Sequence, residues 1–525
     1  MPRHELGSFV SLQRAHPVKA VRDEKWFSLI ILLPFTTATG LFLRSYGLDR
    51  QCLWMDEVAS LLDAAAFGNG GITKLAVVDH IAPLHSILIW LVTLASPPTE
   101  SVARMPSVIF GAAVVPVFGW IIYDMFRDSR LAAIGSLMMC CCPYAIWYSQ
   151  EARMYSLYLF FSVAFVALNW RAAQRPIGPA LWISLASVSI LGLYTHHFMA
   201  LVIFAFGVYL TGRLGLFSAR FWWWASAQVL ALSFFLYWIY LTPEHLNAAA
   251  GAPKPMFALW VPYTLFSFSF GPTLGPSIAE IRETGIAPLL SYQGVLVGVA
   301  ALCVAYLIYR GLIEILKKET WQAGIWCAIW IIVPVLLAIL LTQITNVSYN
   351  PRYVIASLPP LLIVLAAGVA SILRSGGAAL GAVMAFVALA AISLFNLYWN
   401  PNYAREDLRP VARMLSTDFE PNNVLVVGNI RMLIVLQYYG ARIPDQMLYV
   451  EPSSKQVAHN LNNTVAELER VVKQPETSVW LIQYRMWEAD PDHILQTTLD
   501  RLRRIQDTRS WPGISLRIYG PMIRS

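Results

Sequence analysis

Charge is what this chain has least of. Asp, Glu, Lys and Arg make up only 13% of its 525 residues, against about 25% in a soluble globular domain. With 57% hydrophobic residues and a mean hydropathy of +0.55, the deficit excludes a soluble enzyme and a disordered chain alike. Cysteine is scarce too. Of the six, Cys140, Cys141 and Cys142 share one apolar segment, Cys303 and Cys327 lie in two others, and only Cys52 falls in a polar stretch. That distribution gives no disulfide framework and no Cys-x-x-Cys metal pair, so the thiols read as small apolar packers. A basic cluster is also missing. The net +7 is scattered among apolar segments, which points away from nucleic acid and toward orientation signals and anionic lipid. What is abundant is aromatic: 19 Trp, 23 Tyr and 25 Phe, rings that settle at lipid–water interfaces. The arithmetic describes an all-α polytopic membrane protein.

Spanning a bilayer takes roughly 20 apolar residues, and about 17 at the short end. Segments 26–43, 105–123, 131–149, 154–170, 180–195, 198–212, 221–241, 289–309, 322–342, 353–373 and 377–399 qualify, which makes about 11 transmembrane helices. The apolar run 83–95 is short and reads as an interfacial or re-entrant helix. Left out of the span count, it gives a basic tail at 1–25 and a basic loop at every inward position, from Arg127 and Arg130 to Arg374, as the positive-inside rule demands. The transmembrane module then covers 26–399. Two long outer loops, 44–104 with a juxtamembrane helix and 242–288, lie on the side of the C-terminal tail. That tail, 400–525, has soluble composition. β-rich runs at 424–427, 479–483 and 514–519 alternate with helical patterns at 406–415, 455–472 and 493–504, the signature of a small extracytoplasmic α/β domain.

Residues able to do chemistry gather at the outer edges. Asp56 and Glu57 follow Trp54 and Met55 just past the first span. Next to a membrane such carboxylates lose hydration and become better proton acceptors, although an acidic first turn is also ordinary helix capping. Glu151 and Arg153 stand between two spans, where they also fit a local interfacial ion pair of little worth. His80 and His85, and His196 and His197, offer donors to a phosphate or a sugar, but their spacing matches no zinc signature. Arg104 and Arg352 each open a span. Arginine there can snorkel or bind phosphate bidentately.

The order Trp-x-Asp-Glu, His-x-x-Pro-Leu, Arg-x-Pro-Ser, Tyr-Ser-x-Glu-Ala-Arg-Met-Tyr, Tyr-Thr-His-His-Phe and Pro-Arg-Tyr before a Pro-Pro helix, then Tyr403-Ala404-Arg405-Glu406-Asp407-Leu408-Arg409, resembles the GT-C membrane glycosyltransferases. Within them it is similar to the bacterial branch of protein O-mannosyltransferases and the lipid A aminoarabinose transferase, over about 26–415. The resemblance implies an inverting transfer from a polyprenyl-phosphate-linked sugar donor to a lipid, glycan or protein acceptor, at the outer face of the inner (plasma) membrane. It implies Asp56 as base, with Glu57 in support and Glu151 as the second acid. Arg104, Arg153 and Arg352 would meet the phosphate, with His80 or His85, His196, His197 and Tyr353 lining the substrate. Many relatives carry His or Lys directly before Pro-Pro-Leu, whereas Ile81 and Ala82 intervene here, so His80 and His85 share that assignment. No cofactor is required by this reading and a divalent cation is not expected. A transporter or flippase of a glycolipid is the alternative, but transporters place ionisable groups near the midplane.

Overall fold

The computed structural model describes residues 22–78, 82–242, 259–344, 349–444, 447–451, 457–471 and 477–520. Long apolar runs favour helices, which satisfy every backbone group without water. The chain opens with α1 (Arg22–Ser45) and α2 (Met55–Val78), which breaks at Gly70–Gly71, where Gly71 takes a φ of +65°. The ten-residue α3 (Leu84–Thr93) packs on α2, and α4 (Glu100–Phe126) follows. Next come α5 (Ser129–Cys141), α6 (Pro143–Ser149), α7 (Tyr155–Gln174), α8 (Pro179–Leu193), α9 (Met199–Leu214) and α10 (Ala219–Leu241). After the shorter α11 (Trp260–Phe270) and α12 (Ile278–Thr284), the bundle closes with α13 (Tyr292–Ile315), α14 (Trp321–Ile344), α15 (Leu358–Ser375) and α16 (Leu380–Trp399).

Seven helices are long and apolar enough to cross a membrane, and α5 with α6 makes an eighth. Leu29–Ser45, α3, α8 and α9 are apolar but no longer than 17 residues. The long helices, the bent pair and three of these four lie at the segments expected to span, and the fourth, α3, is the ten-residue helix of the run 83–95.

The segment 131–149 is not one straight helix, as its composition suggests. α5 and α6 meet at a 49° bend, because Pro143 has no N–H to continue the ladder. The last carbonyls of α5 are then without a following turn. Arg44 of α1, buried completely, fills the gap by donating to Met139 O and Cys140 O at 3.0 Å and to Ser149 Oγ at 3.2 Å. Gly111 leaves room for this contact, since a Cβ there would fall 2.1 Å from Ser149 Oγ.

Beyond Trp399 the chain forms a five-stranded sheet ordered β2-β1-β3-β5-β4. Its strands are β1 (Val424–Val427), β2 (Met447–Tyr449), β3 (Val479–Tyr484), β4 (Ile505–Trp511) and β5 (Ile514–Tyr519), parallel around β1 and antiparallel around β5. The central strands β1, β3 and β5 are the three runs expected from sequence. The edge strands β2 and β4 are additions: one has three residues, and the other is mostly exposed. Helices α17 (Arg409–Thr417), α18 (Leu433–Tyr438), α19 (Val457–Val471), α20 (Met486–Ala489) and α21 (Ile494–Leu502) surround the sheet.

Strand alternation sends the side chains two ways. Trp480, Ile482, Ile514 and Leu516 share a core with Leu53, Val58 and Leu61 at α2 and Ile89 of α3. Val479, Leu481 and Tyr519 face Leu495 and Leu499 of α21. The C-terminal domain therefore seats on α2 through α18, and it covers the edge where the acidic pair lies.

Candidate active site

Trp54 caps α2, which puts Asp56 and Glu57 on consecutive first-turn positions. Glu57 accepts the Trp54 N–H at 3.3 Å, closing the cap from inside, as a residue at that step does in a capping box. Its carboxylate is wholly buried and crowded with donors. Arg104 reaches it through Nε and Nη2, both at 2.8 Å, the Ala152 N–H at 2.7 Å and Arg405 Nη1 at 3.2 Å. Burial pushes the Glu57 carboxyl up, but Arg104 and Arg405 outweigh it and hold the group down to about 2. Arg104 also donates to the carbonyls of Leu48, Gln51 and Cys52. A guanidinium has five N–H donors, and these contacts engage all of them. Arg104 has no donor left for a phosphate, so the role expected of it from sequence is replaced by anchoring Glu57.

Asp56 is the opposite case. It is half-buried, and among the described residues its carboxylate takes part in no hydrogen bond or ion pair. Arg153, itself buried, fixes the backbone beneath it by donating to Asp56 O at 3.1 Å and Ser60 Oγ at 3.0 Å. Arg352 lies within electrostatic reach of Asp56. Its guanidinium stands over the rings of Tyr155 and Tyr353 at 5.6 and 5.3 Å, and its Nη2 is 3.4 Å from the Tyr353 hydroxyl. Among the described residues no carboxylate lies within ion-pair distance of it, and Nε is buried without a hydrogen bond. A cation so placed is ready for an anion from outside the chain.

Glu151 does not pair with Arg153 two residues away. Its Oε1 accepts from Arg405 at 3.0 Å and from the Trp147 indole at 2.9 Å, and Oε2 is buried without a hydrogen bond. Burial raises this carboxyl, and Arg405 only partly offsets it.

The histidines disperse. His80 lies outside the described residues. His85 is buried with Nε2 3.4 Å from Ser107 Oγ, and burial and then Arg153 push it down to about 3. His196 stacks on Tyr158 at 4.9 Å and accepts the Phe198 N–H, and burial likewise pushes it down to about 3. His197 rests against Phe235 at 5.4 Å. Among the described residues no three His, Cys, Asp or Glu side chains are grouped to hold a metal.

Under the sheet opens a cavity of about 1020 Å³, walled on one side by Trp54, Tyr148, Glu151 and Arg352 and on the other by residues of the C-terminal domain.

No protein-family model and no curated protein matches the sequence. Among solved structures the chain is similar to ArnT from Cupriavidus metallidurans in the apo state, with a TM-score of 0.55 and 14% identity over 94% of this chain and 98% of that one. ArnT bound to undecaprenyl phosphate is similar at a TM-score of 0.51 and 14% identity, over 92% and 97%. The oligosaccharyltransferase of Archaeoglobus fulgidus, in complex with Zn and sulfate, gives a TM-score of 0.51 and 11% identity, over 86% and 67%. The fold is GT-C.

Two residues at the centre of this site are absent from the set singled out by sequence reasoning. Arg405 joins Glu57 to Glu151 and stacks 4.9 Å from the Trp147 ring. Arg485 hangs from the sheet, bonded to Glu406 at 2.7 Å and poised 5.7 Å from the Trp54 ring. The first was signalled by the charge-dense run 403–409 directly after the last span. Nothing local marks the second.

Proposed function

We propose that this chain is an inverting glycosyltransferase that takes a sugar from a polyprenyl-phosphate donor and gives it to a lipid, glycan or protein acceptor. We place the reaction at the periplasmic or exterior face of the inner (plasma) membrane. The observation that carries this is a contrast among the described residues: Asp56 is a half-buried carboxylate without a hydrogen bond or ion pair, and Arg352 an aromatic-framed guanidinium without a carboxylate in ion-pair range. In the reaction the acceptor hydroxyl oxygen attacks the anomeric carbon, its proton passes to Asp56, and the carbon–oxygen bond to phosphate breaks with the electron pair leaving on phosphate. One base suffices for such a displacement, unlike the paired carboxylates of glycosidases. Arg352 neutralises the growing charge on the phosphate, a fixed positive group aimed where charge develops. Arg153 positions Asp56 through its backbone carbonyl, and Glu57 with Arg104 and Arg405 holds the turn that presents it.

The likeness to ArnT bound to undecaprenyl phosphate supports a lipid-linked donor. A transporter is less well served, because the charges assemble beneath the sheet at the ends of the helices. Asp56→Asn tests the reading. The amide keeps the shape but cannot take the proton, so turnover of a polyprenyl-phosphate sugar should fall about 10²–10⁴-fold with unchanged binding of undecaprenyl phosphate. Near-normal turnover in this variant would remove Asp56 as the base.

A further inference from the structure

The cavity extends from Arg352 to Gln483, Ser515 and Arg517 of the sheet. Register places these three on one face, because Gln483 pairs with Ser515 and Leu481 with Arg517. This is the face turned toward α21, away from α2. Polar side chains there are held in fixed orientation. Gln483 donates to Gln496 Oε1 at 3.0 Å and accepts from Ser515 Oγ at 2.8 Å.

Arg517 stands beside this ladder. It neighbours the Tyr519 hydroxyl, but among the described residues no carboxylate comes within ion-pair distance, and its Nε is buried without a hydrogen bond. The nearby Asp500 is occupied by Tyr519 at 2.7 Å and Gln496 at 3.3 Å. The other cavity arginines differ: Arg405 is compensated by Glu151 and Glu57, and Arg485 by Glu406. Two arginines thus lack an acid partner in one cavity, Arg352 on the membrane wall and Arg517 on the wall of the C-terminal domain.

We propose that the Arg517 wall is a second anion site, which binds a sugar bearing a phosphate or carboxylate, separate from the donor phosphate at Arg352. An amide and hydroxyl ladder supplies both donors and acceptors, as sugar hydroxyls need, and the guanidinium takes the acidic group. Trp487 also lines the cavity. This rests on the glycosyltransferase reading and deepens it. The bound sugar belongs to the acceptor, its acidic group is remote from the hydroxyl that Asp56 deprotonates, and the spacing of the two sets which hydroxyl reaches the donor.

Saturation-transfer NMR on the full chain in detergent tests it with three soluble probes: glucose 1-phosphate, galacturonate and methyl glucoside. Binding of at least one acidic probe is expected, with methyl glucoside tenfold or more weaker. Arg517→Gln should weaken the acidic probe tenfold or more and leave undecaprenyl phosphate binding unchanged, with Arg517→Lys recovering part of the loss. Whichever of phosphate and carboxylate is preferred names the source of the charge. Three results would overturn the proposal: equal binding of the neutral probe, tighter binding of an acidic peptide, or competition of the acidic sugar with undecaprenyl phosphate for one site. If Asp56→Asn keeps its turnover while Arg517→Gln still loses the acidic probe, the catalytic reading fails and the anion site stands.

Discussion

Two regions a few ångströms apart treat the same kinds of side chain in opposite ways. Around Glu57 the chain has closed a knot: carboxylate and guanidinium cancel, every Arg104 donor is engaged, and solvent is shut out. Arg352 instead faces a cavity, and the half-buried Asp56 has no hydrogen bond or ion pair among the described residues. The two acids are neighbours in sequence, turned apart by one helical step of about 100°. Packing, not residue type, decides which of them is tied into the scaffold and which is left for the role proposed for Asp56.

The largest effect should come from opening the knot. Glu57→Ala leaves Arg104 buried without its counter-charge and Arg405 with Glu151 alone, and breaking a buried pair in this way costs about 3–5 kcal/mol. Asp56→Ala should stay within about 0.5 kcal/mol of the wild type, as substitutions away from buried networks do. Thermal unfolding of both variants in detergent checks this, and equal destabilisation would erase the distinction between the regions.

A smaller effect sharpens the cavity side. Arg352→Lys keeps the charge but loses the planar fork, so turnover of a polyprenyl-phosphate sugar should fall about tenfold or more with stability unchanged, tenfold being 1.4 kcal/mol. Full activity would make Arg352 an interfacial anchor, a task Lys performs as well.

The smallest effect is the pH dependence of the scaffold. His85 and His196 are both held near 3, below the ordinary 6.5. Each therefore contributes stability that is complete above pH 6.5 and is lost as pH falls toward 3. Glu57, near 2 against an ordinary 4.5, adds a second loss between pH 4.5 and 2. Glu151, raised, works against that loss. The unfolding temperature should be level above pH 6.5 and decline below it, and His85→Leu should flatten the upper limb. An unfolding temperature that holds constant from pH 6.5 to 4.5 would contradict the buried neutral histidines.

Much of this architecture is legible in the linear chain because bilayer thickness writes its own period: each span announces itself by length. The central strands are readable for similarly local reasons, whereas the bend at Pro143 inside 131–149 is not, because the run is apolar throughout. The edge strands were not, since β2 is too short for an alternating pattern and β4 is polar on most positions. At the site, the pair Asp56-Glu57 stands out in sequence, yet nothing local says which acid is buried. That choice depends on Arg405, 348 residues away. A separation of 254 residues likewise hides the partner of Glu151, which sequence places beside Arg153. Long-range ion pairs carry no sequence spacing, so they appear only once the chain beyond the last span is seated on α2.

Arg44 has a consequence for biogenesis. The carbonyls of Met139 and Cys140 that it needs are synthesised 95 and 96 residues later. When α1 first meets the bilayer, its guanidinium has only the Gly40 carbonyl of its own helix to bond, and the long side chain reaches to the headgroups for the rest. Its final seat exists only after the bent α5–α6 segment has arrived. Lodging of the first helix is therefore a late event in assembly, and a chain truncated before residue 139 should leave α1 loosely held and open to the cell's membrane quality-control proteases.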